Sequence, residues 1–199
     1  MNEKDRQTRH AAISRAAYAL LAEHGYVGTS MMRIATAAKA SNETLYRWYG
    51  SKDGLFRAMV EDNAAQTRSM LLHALEEQAD PHETLERVAS VFLAMLLGDH
   101  AILLNRAAAA DPTGELGRAI SSGGRAQVMP LLTGVMDRIC AGSTLPADEA
   151  AQLFVSLLVG DAQVKRIIHN TPAPTKAEIA SKCAMALRMF RRLIAGSDA

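Results

Sequence analysis

Residues 46 to 52 read Tyr-Arg-Trp-Tyr-Gly-Ser-Lys. Tyr46, Trp48 and Tyr49 supply the only tryptophan and two of the four tyrosines in 199 residues. Two cations, Arg47 and Lys52, stand among them. Arginine presents a planar fork of donors that matches a guanine edge or a phosphate, and lysine offers a compact charge. A tyrosine or tryptophan adds a flat ring with one polar hydrogen. The chemistry this grouping suits is recognition of a charged groove, provided one element holds the side chains together.

The elements that would hold them are helices. Sustained alternation of β-branched residues is absent, and alanine, leucine and methionine dominate. An all-α fold of about nine helices follows. The first is expected from about Glu3 to His24, with Ile13, Ala17, Leu20 and Leu21 on its buried face and Gly25 as its stop. Thr29 or Ser30 caps a short second helix, MMRIATAAK, whose inner face is Ile34, Ala35 and Ala38. After a break at Lys39-Ala40, Ser41 caps a third, NETLYRWY. Glu43 sits in its first turn, where the helix dipole favours negative charge, and Gly50 ends it. Ser51 caps a fourth helix from Lys52 to about Ala79, with Leu55, Phe56, Met59, Val60 and Met70 inward. Further helices are expected over 81–97, opened by Pro81, then in HAILLNRAAAA, and over 125–140, 147–169 and 175–195. The Gly- and Ser-containing stretch TGELGRAISSGG reads as the segment leading into the helix at Arg125. Residues 1–4 and 196–199 are expected to be disordered.

Two short helices with a break between them, braced by a longer one, make a helix-turn-helix. In that arrangement the second short helix lies in the DNA major groove. Helical spacing turns Leu45 and Tyr49 toward the core and leaves Asn42, Glu43, Tyr46 and Arg47 outward. Trp48 can reach a phosphate or cover the edge of the unit. Lys52 begins the fourth helix, where backbone N–H groups favour a phosphate. A plain packing unit of three helices would account for Leu45, Tyr49 and Trp48, but not for Tyr46 and Arg47.

The stretch GTSMMRIATAAKASNETLYRWYGSKDGLF, residues 28–56, resembles the DNA-binding signature of the TetR (tetracycline-repressor-like) family. The matching elements are Thr29-Ser30, Ile34-Ala35, Ala38, Ser41, Thr44-Leu45-Tyr46, Trp48-Tyr49, Ser51-Lys52 and Leu55-Phe56. The resemblance implies a helix-turn-helix domain over 1–52, with its motif at about 29–48, and a helical effector-binding and dimerisation domain over 53–199. It implies DNA contacts from Ser30 and Arg33 on the first short helix. On the recognition helix it implies them from Ser41, Asn42, Thr44, Tyr46, Arg47 and Trp48, with Lys52 on a phosphate. The family usually has Gly-Val in the turn where this chain has Lys39-Ala40. A left-handed Lys39 would cost about 1–2 kcal/mol. Glu43 suits an anionic groove only by accepting from a cytosine amino group.

The resemblance further implies a homodimer through the last two helices, here 147–169 and 175–195, with Gly160 permitting close helix approach. It implies release from operator DNA by a largely apolar small-molecule effector, held between the fourth and eighth helices, and no cofactor. Candidate lining residues are Phe92, Met95, Met129, Met136 and Phe154, with Arg106 or Gln163 as polar anchors. Ten methionines suit an adaptable cavity and suit a core equally well.

Charge supports a division along the chain. The first 60 residues hold nine Lys/Arg against five Asp/Glu, and the rest hold thirteen against sixteen, so a net +4 precedes a net −3. The longest apolar run, VFLAMLL, is far too short to span a bilayer. MNEKDRQTRH has no signal-peptide core, so a cytoplasmic protein without membrane association is expected. Cys140 and Cys183 fit a reducing compartment and have no metal-ligand spacing, so they are read as packing residues. A regulator switched by oxidation of either thiol is the alternative. His73, His82, His100 and His169 are read as surface or capping residues. There is no H-E-x-x-H, no G-x-S-x-G, no phosphate-cradling glycine loop and no Cys/His pair, so an enzyme is not expected. A helical adaptor that binds protein rather than DNA is a further alternative.

Overall fold

A computed structural model describes residues 3–196. Every regular element among them is helical. The helix α1 (Glu3–Gly28) is interrupted at Gly25, whose φ of 66° and ψ of −178° suit a residue without a Cβ. The expected stop therefore lies where the sequence places it. Thr29, buried, donates its hydroxyl to Gly25 O at 2.8 Å and so braces the break. Ser30 is the N-cap of α2 (Met31–Ala37), its Oγ accepting from the Arg33 N–H at 3.3 Å. Ser41 caps α3 (Asn42–Tyr49) in the same way through the Thr44 N–H, at 3.1 Å. Gly50 ends α3 with a φ of 74°.

The turn between α2 and α3 closes by Ala40 N–H to Ala35 O at 2.9 Å and Lys39 N–H to Thr36 O at 3.2 Å. That closure puts Lys39 in the left-handed region, with a φ of 53°. The conformation that the Gly-Val of the resembled family would adopt freely is kept here with a lysine side chain in place.

The helix α4 (Lys52–Glu76) follows after Ser51, whose Oγ accepts from the Gly54 N–H at 3.0 Å. Gly54 has a second role. A Cβ there would fall 2.0 Å from Tyr49 O, so the start of α4 can run this close to the end of α3 only with glycine.

Beyond α4 come α5 (Pro81–Leu96), α6 (Asp99–Ala109), α7 (Glu115–Ile120), α8 (Ala126–Ile139), α9 (Ala147–Val159), α10 (Ala162–His169) and α11 (Lys176–Gly196). Two of these depart from expectation. The stretch read as leading into Arg125 is itself helical, forming α7 and then a π-helical turn, Ser121–Arg125. Asp111 starts it by accepting the Leu116 N–H at 3.1 Å, and Leu116 and Ala119 supply a buried face. Its glycines serve approach rather than breakage, since a Cβ on Gly123 would lie 2.9 Å from Arg57 O. The helix expected over 147–169 is two helices, parted at Gly160, where φ is 52° and ψ −132°. Gly160 therefore works as a helix break within the chain. The new direction of α10 is held by Gln163, which donates to Leu96 O at 2.9 Å. Arg166, which is buried, donates to Leu97 O, to Thr171 O at 3.2 Å and to Asp99 at 2.9 Å.

The chain forms two compact units. One comprises the residues up to Asp62 with Leu103–Gly123. Its core gathers Ile13, Ala17 and Leu21 of α1, Met31, Ile34 and Ala35 of α2, Leu45 of α3, and Leu55, Phe56, Met59 and Val60 of α4. Leu20 and Ala38 pack at its margin. The other unit comprises Asn63–Ile102 and the chain from Gly124 onward. There α9 packs on α8 and α11, and α5 packs on α8, α9 and α11. Phe154 meets Phe190 edge-on, 5.4 Å between centroids. Helix α11 opens with a capping box in which Thr175 and Glu178 exchange bonds, the Thr175 N–H reaching Glu178 Oε2 at 2.7 Å. Among the described residues no single helix is long and apolar enough to cross a membrane. Of the termini expected to be disordered, Glu3, Lys4 and Gly196 are helical, and the rest lie outside the described residues.

Replacing Lys39 with glycine should relieve the left-handed backbone and raise the unfolding free energy by about 1 kcal/mol. Urea unfolding followed by far-UV circular dichroism would measure it, and an unchanged or lower midpoint would contradict the strain.

Candidate nucleic-acid interface

An eight-residue helix has little stability of its own, so α3 depends on what it buries. Leu45, fully buried, is its anchor, and Thr44 lies beside it with its hydroxyl 2.8 Å from that of Ser41. With those two residues inward, Asn42, Glu43, Tyr46 and Arg47 form an exposed strip, Tyr46 at 50% exposure. This is the face that spacing alone places outward.

The nine nominated residues therefore fall into distinct settings. Asn42, Tyr46 and Arg47 share the exposed strip. Ser30 and Ser41 are exposed caps at the starts of α2 and α3. Thr44 is buried, so its hydroxyl serves the cap. Trp48 is half-buried, edge-on to Tyr49 at 6.2 Å, with the Arg6 guanidinium 5.7 Å above its ring. Arg33 is exposed but folded back, donating to Gly28 O at 2.8 Å and lying 3.0 Å from His24 Nε2. Lys52 donates to Tyr26 O at 3.0 Å and stands 3.7 Å over the Tyr26 ring. Its ammonium keeps two further N–H groups.

Sequence reasoning missed the groups beneath the strip. His10 Nδ1 lies 2.6 Å from the Tyr49 hydroxyl, and His10 Nε2 meets the Asp62 carboxylate. These partners are 39 and 52 residues from His10, so no local pattern could reveal them. Burial, reinforced by the Asp62 charge and partly offset by Arg6, pushes the Tyr49 hydroxyl up to about 12. Tyr18 and Tyr26 are also shifted upward, chiefly by burial.

In the second unit an open cleft of about 810 Å³ lies between α4, α5, the α5–α6 turn and the start of α11. Asn63, Gln66, Asp99, His100 and Lys176 are at its polar positions, and Val91, Ala94, Met95 and Ile179 are apolar. Of the residues nominated for an effector, Met95 lines it. Phe92, Met136 and Phe154 are buried in the core, and Met129 packs against that core. Gln163 is spent on Leu96 O, and Arg106 is exposed in the other unit. Val91 and Met95, four apart, turn one side of α5 to the cleft while Val88, Phe92 and Leu93 turn another to the core. Cys140 and Cys183 are buried free thiols, each shifted upward chiefly by burial. His73, His82, His100 and His169 are exposed. Among the described residues no cluster of His, Cys, Asp and Glu is arranged to hold a metal ion.

Residues 13–59 match the family described as bacterial regulatory proteins, tetR family. Residues 83–193 match the C-terminal domain described as that of AefR-like transcriptional repressors. The HTH-type transcriptional repressor SCO4008 of Streptomyces coelicolor is 34% identical over 83 residues, 42% of this chain and 40% of that protein. The fatty acid metabolism regulator protein of Bacillus subtilis is 26% identical over 97 residues, 49% of this chain and 50% of that protein. The matched segments thus span half or less of these curated relatives. A TetR-family regulator from Mesorhizobium loti superposes with a TM-score of 0.73 over 97% of this chain and 98% of its own, at 23% identity.

The raised phenols carry a consequence at high pH. A phenol whose folded value lies above 10 is favoured in its neutral form by folding. Its contribution is complete below pH 10 and is lost as pH rises toward 12. Trp48, the single tryptophan, reports on the first unit. Urea midpoints read by its fluorescence should fall over that pH interval, and less steeply in Tyr49→Phe. An equal slope in both proteins would contradict the assignment.

Proposed function

The chain belongs to the TetR family of bacterial regulatory proteins, and from that premise we propose that it is a cytoplasmic transcriptional repressor that a small-molecule effector releases from operator DNA. The observation that carries this reading is the exposed strip of Asn42, Tyr46 and Arg47 on a helix capped at both ends and anchored by Leu45. Arg47 would read a guanine edge, and Asn42 and Tyr46 bases or phosphates beside it. Ser30, Arg33, Ser41, Thr44 and Trp48 would flank the strip, Thr44 through its cap with Ser41. Lys52 would add a phosphate contact through the N–H groups Tyr26 O leaves over. Residues 1–52 would do this reading, and residues 53–199 would bind the effector and dimerise.

Exposed apolar side chains support a homodimer through 147–169 and 175–195. Val164 and Ile168 stand four apart on α10, at 55% and 69% exposure. Met185, Met189 and Leu193 repeat every four residues on α11, each more than 40% exposed. Such stripes suit a second copy of the chain. The open cleft of the second unit supports an effector with apolar and polar parts, because its wall carries both. An effector there would act by favouring the state that binds DNA poorly, so effector and operator would weaken each other's binding by the same factor.

A duplex enriched by the protein from a random pool tests the reading directly. Arg47→Ala should weaken binding to that duplex by about 1–3 kcal/mol and relax preference at one position in each half-site. A uniform loss across all sequences would assign Arg47 to a phosphate instead.

Sedimentation should give about twice the 21.4 kDa chain mass, and Met189→Asp should shift it toward the monomer. A wild-type monomer at micromolar concentration would overturn the dimer.

A further inference from the structure

Three side chains from three helices of the first unit meet behind the exposed strip. His10 of α1 stands between Tyr49 at the end of α3 and Asp62 of α4. The His10 and Tyr49 rings are 5.8 Å apart and tilted by 44°. A carboxylate accepts hydrogen bonds and does not donate, so Asp62 assigns the imidazole proton to Nε2. In the neutral ring Nδ1 then carries a lone pair, and the Tyr49 hydroxyl donates to it. Ser14, one turn along α1, has its Oγ 3.4 Å from Nε2. The raised Tyr49 phenol keeps its proton at any physiological pH. With the ring neutral, donation runs from Tyr49 to His10 to Asp62; with it protonated, His10 donates to both, and either way His10 joins Tyr49 to Asp62.

This relay addresses a geometric need of α3. Leu45 is the one large apolar residue of that helix that is fully buried. A single anchor holds a short helix down but does not set its rotation about its own axis. Tyr49, one turn beyond Leu45 on the same face, is the second point. Tyr49 packs only at the margin of the core and edge-on to Trp48, and an open cleft of about 520 Å³ also borders it, lined by Arg6, Gln7, His10, Trp48 and Asp62 among others. Directional hydrogen bonds complete its hold. We propose that His10 is a positioning residue for DNA reading: by tying the Tyr49 hydroxyl to Asp62 it fixes the roll of α3, and with it the direction in which Asn42, Tyr46 and Arg47 face.

The inference rests on the DNA-binding reading, but its geometry can be tested without DNA. Tyr49→Phe removes one oxygen and keeps the ring, so the fold should survive. Amide hydrogen exchange by NMR should quicken about fivefold over residues 42–49, with α1 and α4 unchanged. His10→Phe should do the same, and the double substitution should add nothing, because both break one chain of bonds. For the duplex enriched by the wild-type protein, discrimination over random duplex should fall about fivefold in Tyr49→Phe while affinity for random duplex holds. Unchanged exchange in α3, faster exchange spread over the whole unit, or additive effects of the two substitutions would each overturn the proposal. A wild-type protein that enriches no duplex would sink the DNA-binding reading instead, and the exchange data would still decide whether His10 anchors α3.

Discussion

An eight-residue helix in water lacks enough hydrogen bonds to offset its ordering entropy. The surface proposed to face DNA is built on such a helix, so its geometry is borrowed from its neighbours. Leu45 buries one point, Ser41 and Gly50 close the ends, and Gly54 lets α4 pass within backbone contact of Tyr49 O. Tyr49 is tied off by His10. The outward residues of the strip, Asn42, Tyr46 and Arg47, therefore have the least structural work to do, and those beneath and beside them do nearly all of it. That separation leaves Asn42, Tyr46 and Arg47 open to change without loss of the fold.

Strain and tethering accompany this arrangement. Lys39 holds a left-handed turn without glycine's freedom, and the hydrogen bonds of Lys39 and Ala40 back into α2 keep it there. Arg33 and Lys52 are held by carbonyls of the α1–α2 corner rather than left free. Cations so placed are pre-oriented, and less side-chain entropy remains to be lost when a phosphate arrives. The second unit solves a different problem. Its helices carry more apolar surface than one face needs, and the surplus is divided among a shared core, a cleft and the exposed stripes of α10 and α11.

Local chemistry was legible residue by residue. Ser30, Ser41 and Ser51 accept from the N–H groups three residues on, and Gly25 and Gly50 end helices through positive φ. These devices act within one turn, so a linear reading captures them. Gly160 and the glycines of residues 114–124 were misread for a related reason. A glycine can break a helix, cap it or admit a neighbour's backbone, and only the neighbour decides which. Gly123 faces Arg57 O across more than sixty residues of chain, and Gly160 parts two helices whose summed pattern looks like one.

The sequence by itself determined the all-helical class, the caps, the capping of α3 and which residues on α3 point outward, because all of these follow from helical periodicity and short-range hydrogen bonds. It determined the family as well, through the spaced residues between Thr29 and Phe56. Only the tertiary structure decided that His10 and Asp62 anchor Tyr49. Only it decided that Phe92, Met136 and Phe154 belong to a core while Met95 borders the cleft, and that Arg166 redirects α10. Those outcomes turn on which apolar or polar face meets which partner. Periodicity marks a face as apolar but carries no information about what lies across from it.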